Sequence, residues 1–189
     1  MACAACSLNK KGEGYITPQA GSFPPLQSND IYVLDNGETR LFNQGDWPSE
    51  MHKLILFFPE VNTPVCSTEM GVLHEWVPKF RELGVEVYAA TTDNIGAVKE
   101  WYESNDELSS YNYKVMSTFL LPSRLKILNN GRAKRASVFI TRENDLIIQE
   151  HFLKVGRSIE ELYRTYHAYT TGSYCAEGWK SELDGFLDK

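Results

Sequence analysis

The chain has 189 residues, 42% hydrophobic and 23% charged, a composition that fits one ordinary core and excludes a disordered chain. Its net charge of −6 argues against a general nucleic-acid binder, whose phosphate contacts need a basic face. No apolar run reaches the roughly 18 residues of a membrane span, and the N-terminal MACAACSLNKKGEG lacks the apolar centre of a signal peptide, so the expected compartment is the cytosol.

Residues 1–28 carry Gly, Pro, Ser and Lys without periodicity and read as a flexible or loosely docked arm. IYVLDNGETRLF then reads as a hairpin, with Asn36-Gly37 as a type I′ turn. KLILFF, from Lys53 to Phe58, is a continuous apolar run suited to a central buried strand. After Pro59 the chain turns into a helix, with Thr63 as its N-cap, Pro64 at its first position and Cys66 in its first turn. Met70, Leu73, Val77 and Phe80 recur along that helix at helical spacing. VEVYAATTD, from Val85 to Asp93, reads as the next strand and IGAVKEWYES as the next helix.

Residues 105–130 show no clear pattern. Asn129-Asn130-Gly131 marks a turn, and RASVFITRENDLIIQEHF reads as a hairpin around Glu143-Asn144-Asp145. Ser158 with Glu161 three residues on gives a capping box, opening a helix striped by Ile159, Leu162, Tyr163 and Tyr166. The tail from Thr170 is turn-rich and holds Cys175 and Trp179. Without repeats or an internal linker, the chain resolves into the arm, one α/β domain over 29–169, and a tail over 170–189. A right-handed crossover would pair KLILFF in parallel with VEVYAA, leaving Cys66 beyond the carboxyl end of its strand, where such sheets gather reactive groups.

The four cysteines are not equivalent. Unpaired N–H groups and the positive end of the helix dipole favour thiolate over thiol at Cys66, and the thiolate is the nucleophilic form. The same position also suits a small buried hydrophobe. Cys3 and Cys6 form a terminal CxxC, but a structural zinc would want four ligands and no second pair exists, so an inert pair is expected. His52, His74, His151 and His167 show neither metal spacing nor the order of a catalytic triad.

Pro59, Thr63 and Cys66 in PEVNTPVC match the PxxxTxxC signature of peroxiredoxins, and the Ser-Thr-Glu that follows extends the match. Downstream, RASVFI resembles the family's arginine-bearing strand, KVGRSIEEL its second arginine motif, and SYCAEGWK the resolving-cysteine tail of the typical two-cysteine subgroup, which includes the peroxidase component of alkyl hydroperoxide reductase. The resemblance implies a thioredoxin-like fold, a central mixed sheet flanked by helices with a C-terminal tail carrying the resolving cysteine. It implies that Cys66 attacks a hydroperoxide, that Thr63 hydrogen-bonds thiolate and substrate oxygen, and that Pro59 shields the pocket from water. Arg135 would stabilise the thiolate and the developing charge, Arg157 would be the second arginine, and Glu69 would orient both. Cys175 of a partner subunit would resolve the sulfenic acid. Neither metal nor haem is implied. The implied partners are a thioredoxin-like or flavoprotein disulfide reductase and further copies of the chain, in a homodimer or a ring decamer.

The sequence also departs from that subgroup. TPVCSTE looks more like the one-cysteine or monomeric subgroups, Phe58 stands where tyrosine is usual, and Ala176 replaces the proline after the resolving cysteine. No GGLG segment and no YF motif after Trp179 are visible, which suggests a robust peroxidase rather than a peroxide sensor. Two alternatives stay open: a one-cysteine peroxidase resolved by an external thiol, and a non-catalytic holdase on the same fold.

Overall fold

The computed structural model describes residues 16–17, 23–26 and 28–188; the Cys3/Cys6 pair lies outside them. In chain order the elements are β1 (Ile16–Thr17), β2 (Tyr32–Asp35), β3 (Glu38–Leu41), β4 (His52–Phe57), α1 (Pro64–Glu82), β5 (Val85–Thr91) and α2 (Ile95–Ser104). They continue with β6 (Lys114–Ser117), α3 (Leu120–Arg124), β7 (Leu128–Asn129), β8 (Arg132–Ala133), β9 (Ala136–Ile140), β10 (Leu146–Glu150) and α4 (Ile159–Thr170). Among the described residues eight strands make one mixed sheet in the order β1-β10-β9-β4-β5-β6-β2-β3, and β7 pairs with β8 in a separate ribbon.

The centre of the sheet follows from the apolar run of β4, which lies between β9, antiparallel, and β5, parallel. Side chains alternate across it. Leu54 and Leu56 join a core with residues of α1, α2 and α4, including Met70, Leu73, Val77, Phe80, Trp101, Leu162 and Tyr166. Ile55 and Phe57 enter a second core on the other face, with Tyr88, Met116, Val138 and, from α3 and the loops, Leu121, Leu125 and Phe42. A strand buried on both faces has no polar side to show, which is why KLILFF carries no alternation.

The turns follow their local chemistry. Asn36 and Gly37 both take positive φ, 49° and 82°, as a type I′ turn requires between twisted strands. β9 and β10 pair from Leu146↔Ile140 to Glu150↔Ala136, with Asn144 left-handed at the turn. Residues 105–130 hold β6, α3 and β7, each too short to display a period. Ser158 caps α4 by accepting from the Glu161 N–H at 3.1 Å. The capping box is incomplete, because the Glu161 carboxylate pairs with Arg164 at 2.6 Å instead of turning back to the cap.

The tail folds onto the far end of α4. Tyr174 bridges Leu187, Trp179 is buried beside His167, and the Trp179 carbonyl accepts from Arg164 at 3.0 Å. Among the described residues no helix is long and apolar enough to cross a membrane.

Candidate active site

β4 runs out at Phe57, and the loop through Pro59 and a left-handed Asn62 delivers an extended Thr63 to the N-cap of α1. Pro64 opens the helix, where its missing N–H costs nothing. Thr63 holds the cap position without a side-chain cap bond; its hydroxyl donates back to the Glu60 carbonyl at 3.2 Å, not to Cys66. Cys66 is the third residue of α1, in the turn whose N–H groups have no partner within the helix, and it is completely buried.

One turn further on, Glu69 lies on the same side of α1 and meets two arginines that arrive from distant parts of the chain. Arg135 sits just before β9, and Arg157 just before the Ser158 cap of α4. The Glu69 carboxylate pairs through one oxygen with Arg135 Nη1. Its other oxygen accepts from Arg157 Nε at 3.0 Å and from the Arg157 backbone N–H at 2.5 Å. Arg157 is then fixed by the carbonyls of Ala136, 2.8 Å from Nη1, and Phe57, 2.5 Å from Nη2. Arg135 turns Nη2 toward Cys66 Sγ at 3.5 Å and toward the Leu153 carbonyl at 3.2 Å. Its Nε is buried with no acceptor among the described residues.

Two guanidinium groups against one carboxylate leave a net positive charge beside the thiol, in surroundings that screen it poorly. Burial lowers the Arg157 pKa, and the adjacent Glu69 charge opposes that fall. Such an arrangement stabilises a negative charge on sulfur or on an oxygen near it.

Ser137, which the sequence reading did not single out, and His151, to which it gave no metal or triad role, complete the polar cluster. The β9–β10 register continues past Glu150↔Ala136, and the His151 N–H donates to the Arg135 carbonyl at 2.8 Å. The His151 ring bonds Ser137 Oγ at 2.9 Å, and Ser137 also lies 3.4 Å from Arg157 Nη1. Burial, with Arg157 and Arg135 adding their charge, pushes the His151 pKa down to about 4. The visible signal was a lone serine inside the apolar run ASVFI.

A cavity of about 340 Å³ opens beside this cluster, lined by Pro59, Thr63, Pro64 and Val65 from the α1 entrance, Arg135 behind them, and Leu153 and Lys154 from the turn after β10. Cys66 does not line it. Pro59, Thr63, Cys66, Glu69, Arg135 and Arg157 therefore come together around one point, and Cys175 does not join them. The Cys175 sulfur packs at the opposite end of α4, 3.8 Å from the Ala168 carbonyl. Twelve residues of helix, about 18 Å, separate the two ends.

Residues 32–148 match the model of the AhpC/TSA family. The chain belongs to the AhpC/TSA family. The matched span holds Pro59, Thr63, Cys66, Glu69 and Arg135 and stops before Arg157 and Cys175. Among curated AhpC relatives, alkyl hydroperoxide reductase C of Escherichia coli strain K12 is 28% identical over 163 residues, covering 78% of this chain and 84% of that protein. The Mycolicibacterium smegmatis protein of the same name is 25% identical over 141 residues, covering 72% and 70%. Of solved structures, Mycobacterium tuberculosis AhpC superimposes with a TM-score of 0.75 at 19% identity, covering 85% of this chain and 97% of that one. The reduced Plasmodium vivax 2-Cys peroxiredoxin gives 0.74 at 18% identity, covering 90% and 92%. These two establish the thioredoxin-type fold. As a family member the chain is a peroxiredoxin-type enzyme, a thiol-dependent peroxidase that acts on hydroperoxide with electrons from a thiol reductant.

Proposed function

We propose that Cys66 is the peroxidatic nucleophile for hydrogen peroxide and small organic hydroperoxides, and that Cys175 of a partner subunit resolves the product. The observation that carries the first part is the Arg135 Nη2 to Cys66 Sγ contact of 3.5 Å, made by a guanidinium that Glu69 holds in a buried, net-positive site. The Cys66 thiolate attacks the terminal peroxide oxygen and the O–O bond breaks. Sulfur becomes a sulfenic acid, oxidised by two electrons, and the leaving oxygen takes up a proton as alcohol or water. Negative charge passes from sulfur to that oxygen, so donors fixed around both lower the barrier.

In this reading Arg135 serves both charges, and its orphaned Nε, which costs about 1–3 kcal/mol while buried and unpaired, gains an acceptor when substrate shifts the side chain. Thr63 turns its hydroxyl from the Glu60 carbonyl to the peroxide. Pro59 keeps water out, Arg157 reinforces the field, and Glu69 orients both guanidinium groups. The Cys175 thiol then condenses with the sulfenic acid, forming a disulfide as the sulfenic oxygen leaves as water, and a thioredoxin-like or flavoprotein disulfide reductase supplies the two electrons that restore the dithiol. The assembly is a homodimer or a ring of dimers.

One equivalent of peroxide, followed with Cys66→Ser and Cys175→Ser, tests this. Cys66→Ser is expected to consume none. Cys175→Ser is expected to consume its first equivalent and to hold a sulfenic acid that a carbon nucleophile traps. Peroxide loss that persists in Cys66→Ser overturns the assignment, and wild-type turnover on an external thiol without any Cys175 disulfide supports the one-cysteine cycle instead.

A further inference from the structure

The cavity beside Cys66 is much larger than the smallest peroxide requires. Hydrogen peroxide fills little more than the ~30 Å³ share of one water molecule. The cavity encloses about 340 Å³, which falls within the roughly 300–1,000 Å³ of pockets built around organic ligands. Pro59, Pro64, Val65, Ala133 and Leu153 give it apolar walls. Cations line it at two depths, one buried and two exposed. Arg135 is the inner one, occupied with Glu69 and Cys66. Arg132 and Lys154 are the outer ones, and both are exposed.

The outer two differ in what they can still bind. Arg132 is ion-paired with Glu60, which neutralises it. Lys154 has no ion-pair or hydrogen-bond partner among the described residues. Its turn is nevertheless anchored: the Leu153 carbonyl accepts from Arg135 Nη2, the nitrogen that also reaches Cys66, and the Val155 N–H closes the turn on Phe152. The unpaired ammonium is thus carried on a turn tied directly to Arg135.

We infer that this cavity selects hydroperoxides of carboxylic acids over neutral hydroperoxides of the same size. The hydroperoxyl group lies against Arg135, whose Nη2 contacts the Cys66 sulfur, the hydrocarbon runs along Pro59, Pro64, Val65 and Leu153, and the carboxylate meets Lys154. The inference rests on the peroxidase reading of Cys66 and adds the substrate class. The carboxylate is remote from the breaking O–O bond, so its contact helps ground state and transition state alike and shows in KM rather than kcat. A screened pair at an open mouth gives a modest preference that fades with salt.

A medium-chain hydroperoxy fatty acid and its methyl ester, compared on the full chain at low and high salt, test this. Wild type is expected to favour the acid about fivefold in kcat/KM at low salt, with the difference in KM and shrinking at high salt. Lys154→Met is expected to bring the acid-to-ester ratio near one, and Lys154→Arg to restore it. An acid-to-ester ratio of one or below in wild type overturns the inference, as does a preference that survives in Lys154→Met. Cys66-dependent turnover of both compounds without preference overturns the selectivity alone. Failure to consume either in a Cys66-dependent way removes the peroxidase reading as well.

Discussion

Among the described residues Glu69 is the only carboxylate hydrogen-bonded to the two buried guanidinium groups of Arg135 and Arg157, so its charge decides whether they can stay where they are. Glu69→Gln keeps the shape and deletes the charge. Two like charges are then left unpaired in the interior, a loss expected to cost about 3–5 kcal/mol. The shift of the urea midpoint measures it, and a change under 1 kcal/mol would show that water reaches the pair. His151 carries the pH dependence of the same cluster. Its folded pKa of about 4 lies below the ordinary 6.5, so the unfolded chain takes up the proton first as pH falls. Above pH 6.5 the ring is neutral in both states and contributes nothing. Between about 6.5 and 4 it destabilises the fold progressively, and below that window the penalty is complete. His151→Gln keeps a partner for Ser137 and cannot titrate. Its stability relative to wild type is therefore expected to improve as pH drops from 7 to 4, and parallel pH curves would sink this account.

At the scale of elements, the ends of the helices decide how well the site is aimed. Ser158 makes the one side-chain cap bond of α4, immediately after Arg157, and Glu161 adds no reciprocal bond. Ser158→Ala is expected to cost about 1 kcal/mol, read as a fall in the thermal midpoint. Part of that loss should appear as weaker placement of Arg157, seen as slower Cys66 alkylation by iodoacetamide. Unchanged alkylation with the lowered midpoint would confine Ser158 to stability. The same elements show why some of the fold was legible. β4, buried on both faces, and α1, with 19 residues and a four-residue apolar stripe, carry strong periodic signals. β6 has four residues and α3 five with Pro122 inside, so neither spans enough turns or alternations to be read. The Thr63 position was legible from Thr-Pro, but the rotation of its hydroxyl toward Glu60 was not, because loop geometry sets it.

For the molecule as a whole, the meeting of Glu69 with Arg135 and Arg157, 66 and 88 residues away, is written in no local spacing. Only the family resemblance pointed to it; Ser137, which enters through strand register, escaped even that, and His151 was named without a place in the cluster. The same long-range geometry bears on the proposed resolving step. Cys66 lies by the Arg157 end of α4 and Cys175 packs against Ala168 at the other, about 18 Å of helix apart. A disulfide needs Cα atoms within roughly 7 Å, so closure inside one chain would require the tail to leave α4, give up the burial of Trp179 and travel the length of the helix. The tail also exposes Tyr174, Leu183, Phe186 and Leu187, apolar surface that a second chain could cover. Transfer between chains avoids the long excursion, and it separates from the alternative by mixing. Cys66→Ser and Cys175→Ser chains, each unable to close a Cys66–Cys175 bond alone, are combined, allowed to exchange subunits and given one equivalent of peroxide. If Cys175 acts on its neighbour, the mixture forms a covalent heterodimer on a non-reducing gel, with one Cys66–Cys175 bond joining the two variants. If it acts within its own chain, neither partner supplies both thiols and no such dimer forms, while wild type closes its disulfide as a monomer.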